Sequence, residues 1–423
     1  MNQALESAQA ALAARLETGS PRPLAVAFSG GGDSLALLLM ARIWAERAAR
    51  PLIALTVDHR LQAESAAWAR QCAARAERLG IAHQILTWDA LKPASGVAAA
   101  ARQARHLLIA EAARLAGARV ALFGHTLDDR LEAEAMRRSG LRVGDPRPWS
   151  PSPVWPQGRD IFILRPLLAL RRAHLRAWLV ERGETWIDDP ANDDLLQPRA
   201  LARRSVAASS AACVWPSAAP AWRAKAPRFG PSGDITLETA AADEPGGLAA
   251  GLAAAVLCAS GDDRPPRRRA LDPLVASLQA GEVRTATLAG ARLTIAAEAV
   301  LITRQLDDRR SRPCRPLGLD PRLEQVWDGR FAVRAKAAGL ALAPLRGLGA
   351  RLEPHLRTEV RRLPPPVRGA VPAIIDHEGR VSCPTLVHEP RLDIRALGPR
   401  RWLAACGLID HEAKIGQTLA VRA

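Results

Sequence analysis

The hexamer Ser29-Gly30-Gly31-Gly32-Asp33-Ser34 joins three glycines, two hydroxyls and one carboxylate, a set suited to holding a phosphate and a cation together. Converging backbone N–H groups with no Cβ in the way form an anion cradle. A carboxylate repels phosphate unless a divalent cation lies between them, so Asp33 points to such a cation. The spacing excludes two other phosphate loops. No Lys-Ser/Thr pair follows at five residues from Gly30, and a dinucleotide fingerprint would need glycine where Leu35 stands. A second group lies in Gly124-His125-Thr126-Leu127-Asp128-Asp129-Arg130-Leu131-Glu132. A helix opening at 126–128 puts Asp129 and Glu132 one turn apart on one face, with His125 at its entrance.

The elements that position these residues follow from the hydrophobic pattern. Leu24 to Phe28 reads as a strand running into the glycine loop, and a helix covers 34–48. A second strand, Leu52 to Val57, closes on Asp58-His59; helix 62–79 and strand Ala82 to Trp88 follow. A helix from Val97 to Leu115 precedes a strand from Arg119 to Phe123. Strands separated by helices need crossovers, which gives a parallel sheet covered on both faces: an α/β, doubly wound fold. Ligands of such sheets bind at the carboxyl ends of the strands. Asp33, Asp58 and His125 each stand just past such an end, so three strands aim polar residues at one crevice.

Beyond this, a proline-rich loop spans Asp145 to Pro156, Ile161 to Leu164 forms a strand, and helix 171–182 leads to an acidic turn from Trp186 to Asp193. Past Arg204 the chain becomes alanine-rich, with an arginine cluster at 264–269 and an antiparallel hairpin over 282–303. The expected division is a catalytic domain over 1–204, a middle domain over 205–310 and a C-terminal domain over 311–423.

The net charge of +16 and pI near 11.0 call for a polyanionic partner. Nearly all the positive charge is arginine, lysine occurring only at 92, 225, 336 and 414. Six scattered cysteines lack metal-ligand or redox spacing, which fits a reducing, cytoplasmic setting. No signal peptide or membrane span is read, and no membrane partner is expected.

The hexamer resembles the SGGxDS signature of the PP-loop ATP pyrophosphatases, an adenine nucleotide alpha hydrolase-like group that cleaves ATP between its α and β phosphates. Further blocks resemble the tRNA(Ile)-lysidine synthetases, in the same order. They are Val57-Asp58-His59 with Glu64-Ser65, Ala99-Ala100-Ala101-Arg102 with Arg105-His106, the His125 to Glu132 region, Arg165-Pro166-Leu167-Leu168 with Arg171, and Asp189-Pro190-Ala191-Asn192 with Asp194 and Arg199. The chain departs from that family at Arg60 and Gln62, in a shorter segment after Asp129, at Gln197 and Ala200, and at its C-terminus.

The resemblance implies a ligase that converts the wobble cytidine of the CAU anticodon of isoleucine tRNA to lysidine. The cytidine C2 oxygen attacks the α-phosphorus of ATP, pyrophosphate leaves, and the side-chain amine of L-lysine displaces AMP. Ser29, Gly30 to Gly32, Asp33, Ser34 and Asp58 would bind ATP, with Asp33 acting through Mg²⁺. His125 would orient the α-phosphate, Arg102 and Arg165 would stabilise phosphates, and Asp129 and Glu132 would seat the lysine amine and take its proton. The arginine excess would contact tRNA, largely from 205–423; a homodimer is compatible with the pattern. Two alternatives stand beside this: another PP-loop tRNA-modifying or amide-forming enzyme, and a non-catalytic RNA-binding relative.

Overall fold

The computed structural model describes residues 3–141, 143–188, 201–203, 206, 226–238, 245–306, 312–417 and 419. The chain forms two compact units, Met1–Ser217 with Ile409–Ile415, and Ala218–Leu408 with Gly416–Ala423.

The first unit is built on a six-stranded sheet. In chain order its elements are α1 (Gln3–Ala13), β1 (Leu24–Ala27), α2 (Gly32–Arg47), β2 (Leu52–Asp58), α3 (Ser65–Arg78), β3 (Ala82–Thr87), α4 (Val97–Leu115), β4 (Val120–Leu122), α5 (Leu127–Arg138), β5 (Trp149–Pro151), β6 (Phe162–Leu164) and α6 (Arg172–Val180). The strand order is β3-β2-β1-β4-β6-β5. Every neighbouring pair is parallel except β5 with β6. Central strands covered on both faces must be apolar throughout, and β4 is Val-Ala-Leu with every residue buried. Leu35 to Ala41 of α2 are likewise all buried, because this helix packs against both α1 and α6. The expected doubly wound sheet is therefore present, with one addition. The segment expected as a proline-rich loop contains β5, an edge strand on which Pro151 needs no ladder donor.

The C-terminal segment Ile409–Ile415 closes this unit. Glu412 accepts hydrogen bonds from Arg50 Nη1 at 2.9 Å and Nη2 at 3.0 Å, both side chains being fully buried.

Among the described residues the second unit carries three antiparallel sheets. The hairpin expected over 282–303 is part of the largest, whose order is β7 (Arg228–Phe229), β8 (Ile235–Glu238), β11 (Ala299–Arg304), β10 (Ala291–Ile295), β9 (Arg284–Leu288). Its apolar face meets the helix Pro245–Ser260 in a core that includes Leu252, Ala255 and Leu293. Asp328 is buried between Arg304 at 3.0 Å and Arg330 at 2.8 Å, which fixes the turn before the strand Phe331–Ala335. Among the described residues no helix is long and apolar enough to cross a membrane.

Candidate active site

In the order β3-β2-β1-β4 the direction of winding reverses between β1 and β4, and such a switch point opens a crevice at the carboxyl ends. The loop after β1 is Phe28 to Gly31, and the loop after β4 is Phe123 to Thr126. They approach closely: a Cβ on Gly124 would lie 3.0 Å from the carbonyl oxygen of Asp33. Gly30 has φ +81°, and a Cβ there would meet Ile187 Cδ1 at 2.5 Å and Cys72 Sγ at 2.9 Å. The positive φ at Gly30 favours glycine, and a side chain at Gly124 would push the Asp33 backbone aside by a few tenths of an ångström.

The glycine loop is held from inside. Ser34 Oγ donates to Gly31 O at 2.8 Å and accepts from Ser29 N–H at 3.2 Å. Ile187 N–H donates to Gly30 O at 3.0 Å, fixing the outer side. Gly31 is the N-cap of α2 and offers no side chain to its first-turn amides, which leaves a helix N-terminus suited to an anion.

Asp33, Asp129 and Glu132 come together around one guanidinium, that of Arg172. Its Nε donates to Asp33 Oδ2 at 2.8 Å and its Nη1 to Glu132 Oε1 at 3.2 Å, while Nη2 lies 3.6 Å from Asp129 Oδ2. Arg203 Nε also reaches Glu132 Oε1, at 3.3 Å. These carboxylates raise the Arg172 pKa above its ordinary value, although burial acts against it. Burial pushes the Asp33 carboxyl up, and Arg172 only partly offsets this. Asp33 Oδ1 is buried and has no hydrogen-bond partner among the described residues. That spare oxygen fits a cation held mainly by phosphates, since Mg²⁺ commonly takes one or two carboxylates plus phosphate oxygens. No cluster of three or more metal-ligating side chains occurs among the described residues.

Local sequence explains the placement of the acids. Asp129 Oδ2 accepts from Thr126 N–H at 2.8 Å and Thr126 Oγ1 at 3.0 Å, so it closes the first turn of α5. Its neighbour Asp128 turns the other way. It accepts from Arg172 N–H at 2.7 Å and pairs with Arg171 Nη2 at 3.2 Å, holding the start of α6 against α5. Arg171, singled out by motif spacing, thus serves Asp128, and Arg172 is the arginine that reaches the acids.

His125 is surrounded by cations. Arg165 Nε donates to His125 Nδ1 at 3.3 Å, which requires an unprotonated Nδ1. Burial lowers the His125 pKa to about 3, with Asp129 opposing and Arg165, Arg105 and Arg102 assisting. Arg165 is itself buried, not a solvated face charge; its Nη1 donates to Arg147 O at 2.7 Å and burial lowers its pKa to about 10. Arg102 is exposed on α4 but close enough to act on His125 and Arg165. Beneath them His106 stacks on Phe123 with ring centroids 5.1 Å apart, and neither of its ring nitrogens has a partner among the described residues.

Asp58 ends β2 and accepts from Arg60 N–H at 2.9 Å, a turn-capping contact. The acidic motif Asp189 to Asn192, with Asp194, Gln197, Arg199 and Ala200, lies outside the described residues. Sequence reasoning missed Arg172, Asp128 and Arg203. Cys72 lies under Gly30; burial raises that thiol to about 11, so it is no ready nucleophile.

The comparisons agree with this architecture. Residues 4–209 match the family model described as a PP-loop domain. The chain is 44% identical over 415 residues to the tRNA(Ile)-lysidine synthase of Caulobacter vibrioides, covering 97% of this chain and 99% of the relative. It is 37% identical to the tRNA(Ile)-lysidine synthase of Hyphomonas neptunium, over 69% of this chain and 83% of that protein. The Rhizobium meliloti protein of the same name is 42% identical over 202 residues, 45% of this chain and 44% of that one.

Proposed function

The chain belongs to the tRNA(Ile)-lysidine synthase family, and from that premise we propose how its residues divide the reaction. The enzyme uses ATP to join lysine to the wobble cytidine of isoleucine tRNA, forming lysidine. The observation that carries the assignment of residues is the meeting of Asp33, Asp129 and Glu132 around Arg172 at the switch point.

The amides of Gly31 to Ser34 bind the β and γ phosphates, and the spare Oδ1 of Asp33 would hold Mg²⁺. When bound, that ion neutralises charge on the leaving pyrophosphate. Neutral His125 is oriented by Arg165, and with Arg102 and Arg165 nearby it faces the α-phosphate. With His125 neutral, the positive charge facing the anion comes from the guanidiniums, which keep it at every working pH. The cytidine C2 oxygen forms its bond to the α-phosphorus as the bond to pyrophosphate breaks.

A free lysine amine, with a pKa near 10.4, is almost wholly protonated at neutral pH. Asp129 and Glu132 seat the ammonium and accept its proton, after which the amine attacks C2 and AMP departs. Arg172 pairs with both carboxylates and Arg203 with Glu132, so they are held in place until the ammonium arrives. Binding requires the target base to leave its stack, as in other enzymes that act on a base. The setting is cytoplasmic.

Asp33→Ala tests this division. The variant is expected to fold and bind tRNA while releasing no pyrophosphate; pyrophosphate release at the wild-type rate would overturn the role of Asp33. Incubation with ATP, labelled lysine and either isoleucine or methionine tRNA tests the substrate. Label should enter the isoleucine tRNA alone.

A further inference from the structure

The arginine excess and the second unit invite the view that RNA is held there, yet the first unit displays a surface of its own beside the ATP loop. The loop after β2 (His59 to Glu64) and the loop after β3 (Trp88 to Gly96) are joined at two points. Arg60 Nη1 pairs with Asp89 Oδ1 at 2.6 Å, and the His59 and Trp88 rings meet edge to face at 6.0 Å. The second loop is internally fixed. Lys92 lies over the Trp88 ring, 3.9 Å from its centroid, and donates to Trp88 O and to Ala90 O.

Two leucines project from these tied loops, Leu61 at 45% and Leu91 at 97% exposure. A leucine held almost wholly in water by a structured loop costs solvation that burial against a partner would recover. The partner's chemistry is set by the surroundings. Arg60 is exposed on one loop, and Arg102 is exposed on the helix that follows the other. Exposed leucines on tied loops that carry guanidiniums, that of Arg60 shared with Asp89, fit an unstacked base whose phosphates the arginines meet.

Position narrows it further. In the order β3-β2-β1, the end of β3 lies two strands from the glycine loop, roughly 10 Å at about 4.8 Å per strand. That is the distance at which nucleotides flanking a base inserted into the crevice would pass. We propose that the tied loops after β2 and β3 form a docking surface for the single-stranded anticodon loop of the substrate tRNA, with Leu91 packing against an unstacked base next to the target. The proposal rests on the reading above that the crevice acts on an anticodon base.

Leu91→Asp tests it, with Leu115→Asp as the control. Leu115 is 77% exposed at the last residue of α4, and so at the opposite end of that helix. Lysidine formation should show a KM for tRNA raised about fivefold or more in Leu91→Asp, as expected for losing part of one leucine's burial and adding a repelling charge, with KM for ATP unchanged. Leu115→Asp should match the wild type. Fluorescence anisotropy with an isolated anticodon stem-loop provides the second arm, and the same loss of affinity is expected there. Equal behaviour of the two variants would overturn the proposal, as would a fall in kcat at unchanged KM for tRNA. If the wild type forms no lysidine, the functional reading fails, and the anisotropy arm still decides whether this surface binds RNA loops.

Discussion

Replacing Arg172 by Met separates the electrostatic account of the site from a merely steric one. The guanidinium is 15% exposed and its partners Asp33, Asp129 and Glu132 are 23%, 9% and 1% exposed. Removing one partner of a buried ion pair typically costs about 3–5 kcal/mol. Asp33 can take up water and Glu132 keeps Arg203, so the lower figure, about 3 kcal/mol, is expected. Methionine preserves most of the side-chain volume, so little of that loss would come from packing. The pH dependence gives the sharper test. Burial already holds the Asp33 carboxyl up, and losing the guanidinium that partly offsets this moves its folded-state pKa further above the unfolded value near 4. The folded variant then binds more protons than its unfolded chain, so its stability rises as pH falls from 7.5 towards 5. Denaturant unfolding of both proteins at pH 7.5 and 5.5 reads this directly. The gap between them should narrow at the lower pH, and a gap that is absent, or that widens on acidification, would refute the reasoning. Arg172→Lys should recover little, since one ammonium cannot span three carboxylates.

Other substitutions probe the floor and the mouth of the crevice. His106→Phe removes two buried ring nitrogens that lack partners and keeps the stack on Phe123, so thermal unfolding should show a gain of about 1–2 kcal/mol. Burial depresses His106 to about 2 and His125 to about 3. Each therefore withdraws stability as pH falls below the unfolded value near 6.5, and in His106→Phe the acid-side slope between pH 6 and 4 should be shallower. Gly30→Ala forces a side chain into φ +81° and against Ile187, a strain of about 1–3 kcal/mol; pyrophosphate release should fall at least about tenfold, and wild-type turnover would show that the loop yields.

The glycine loop, His125 and the paired acids were legible because each depends on a few neighbouring residues: a strand, a turn and a helix start. Arg172 was not. Two adjacent arginines, Arg171 and Arg172, open α6, and two adjacent acids, Asp128 and Asp129, open α5. Neighbouring positions on a helix point about 100° apart, so which member of each pair faces the crevice depends on the rotational phase of both helices. That phase is set between them, by Asp128 accepting the first amide of α6 at 2.7 Å, a contact 44 residues apart in sequence that no local pattern announces. The edge strand β5 escaped for a related reason, since its partner β6 gives it extended form while its own Pro151 argues against a strand. The acid that looks redundant is thus the one on which the site's geometry depends. Asp128 touches neither the glycine loop nor the other carboxylates through any hydrogen bond described above, yet by anchoring α6 it turns Arg172 onto Asp33, Asp129 and Glu132 and sends Arg171 elsewhere.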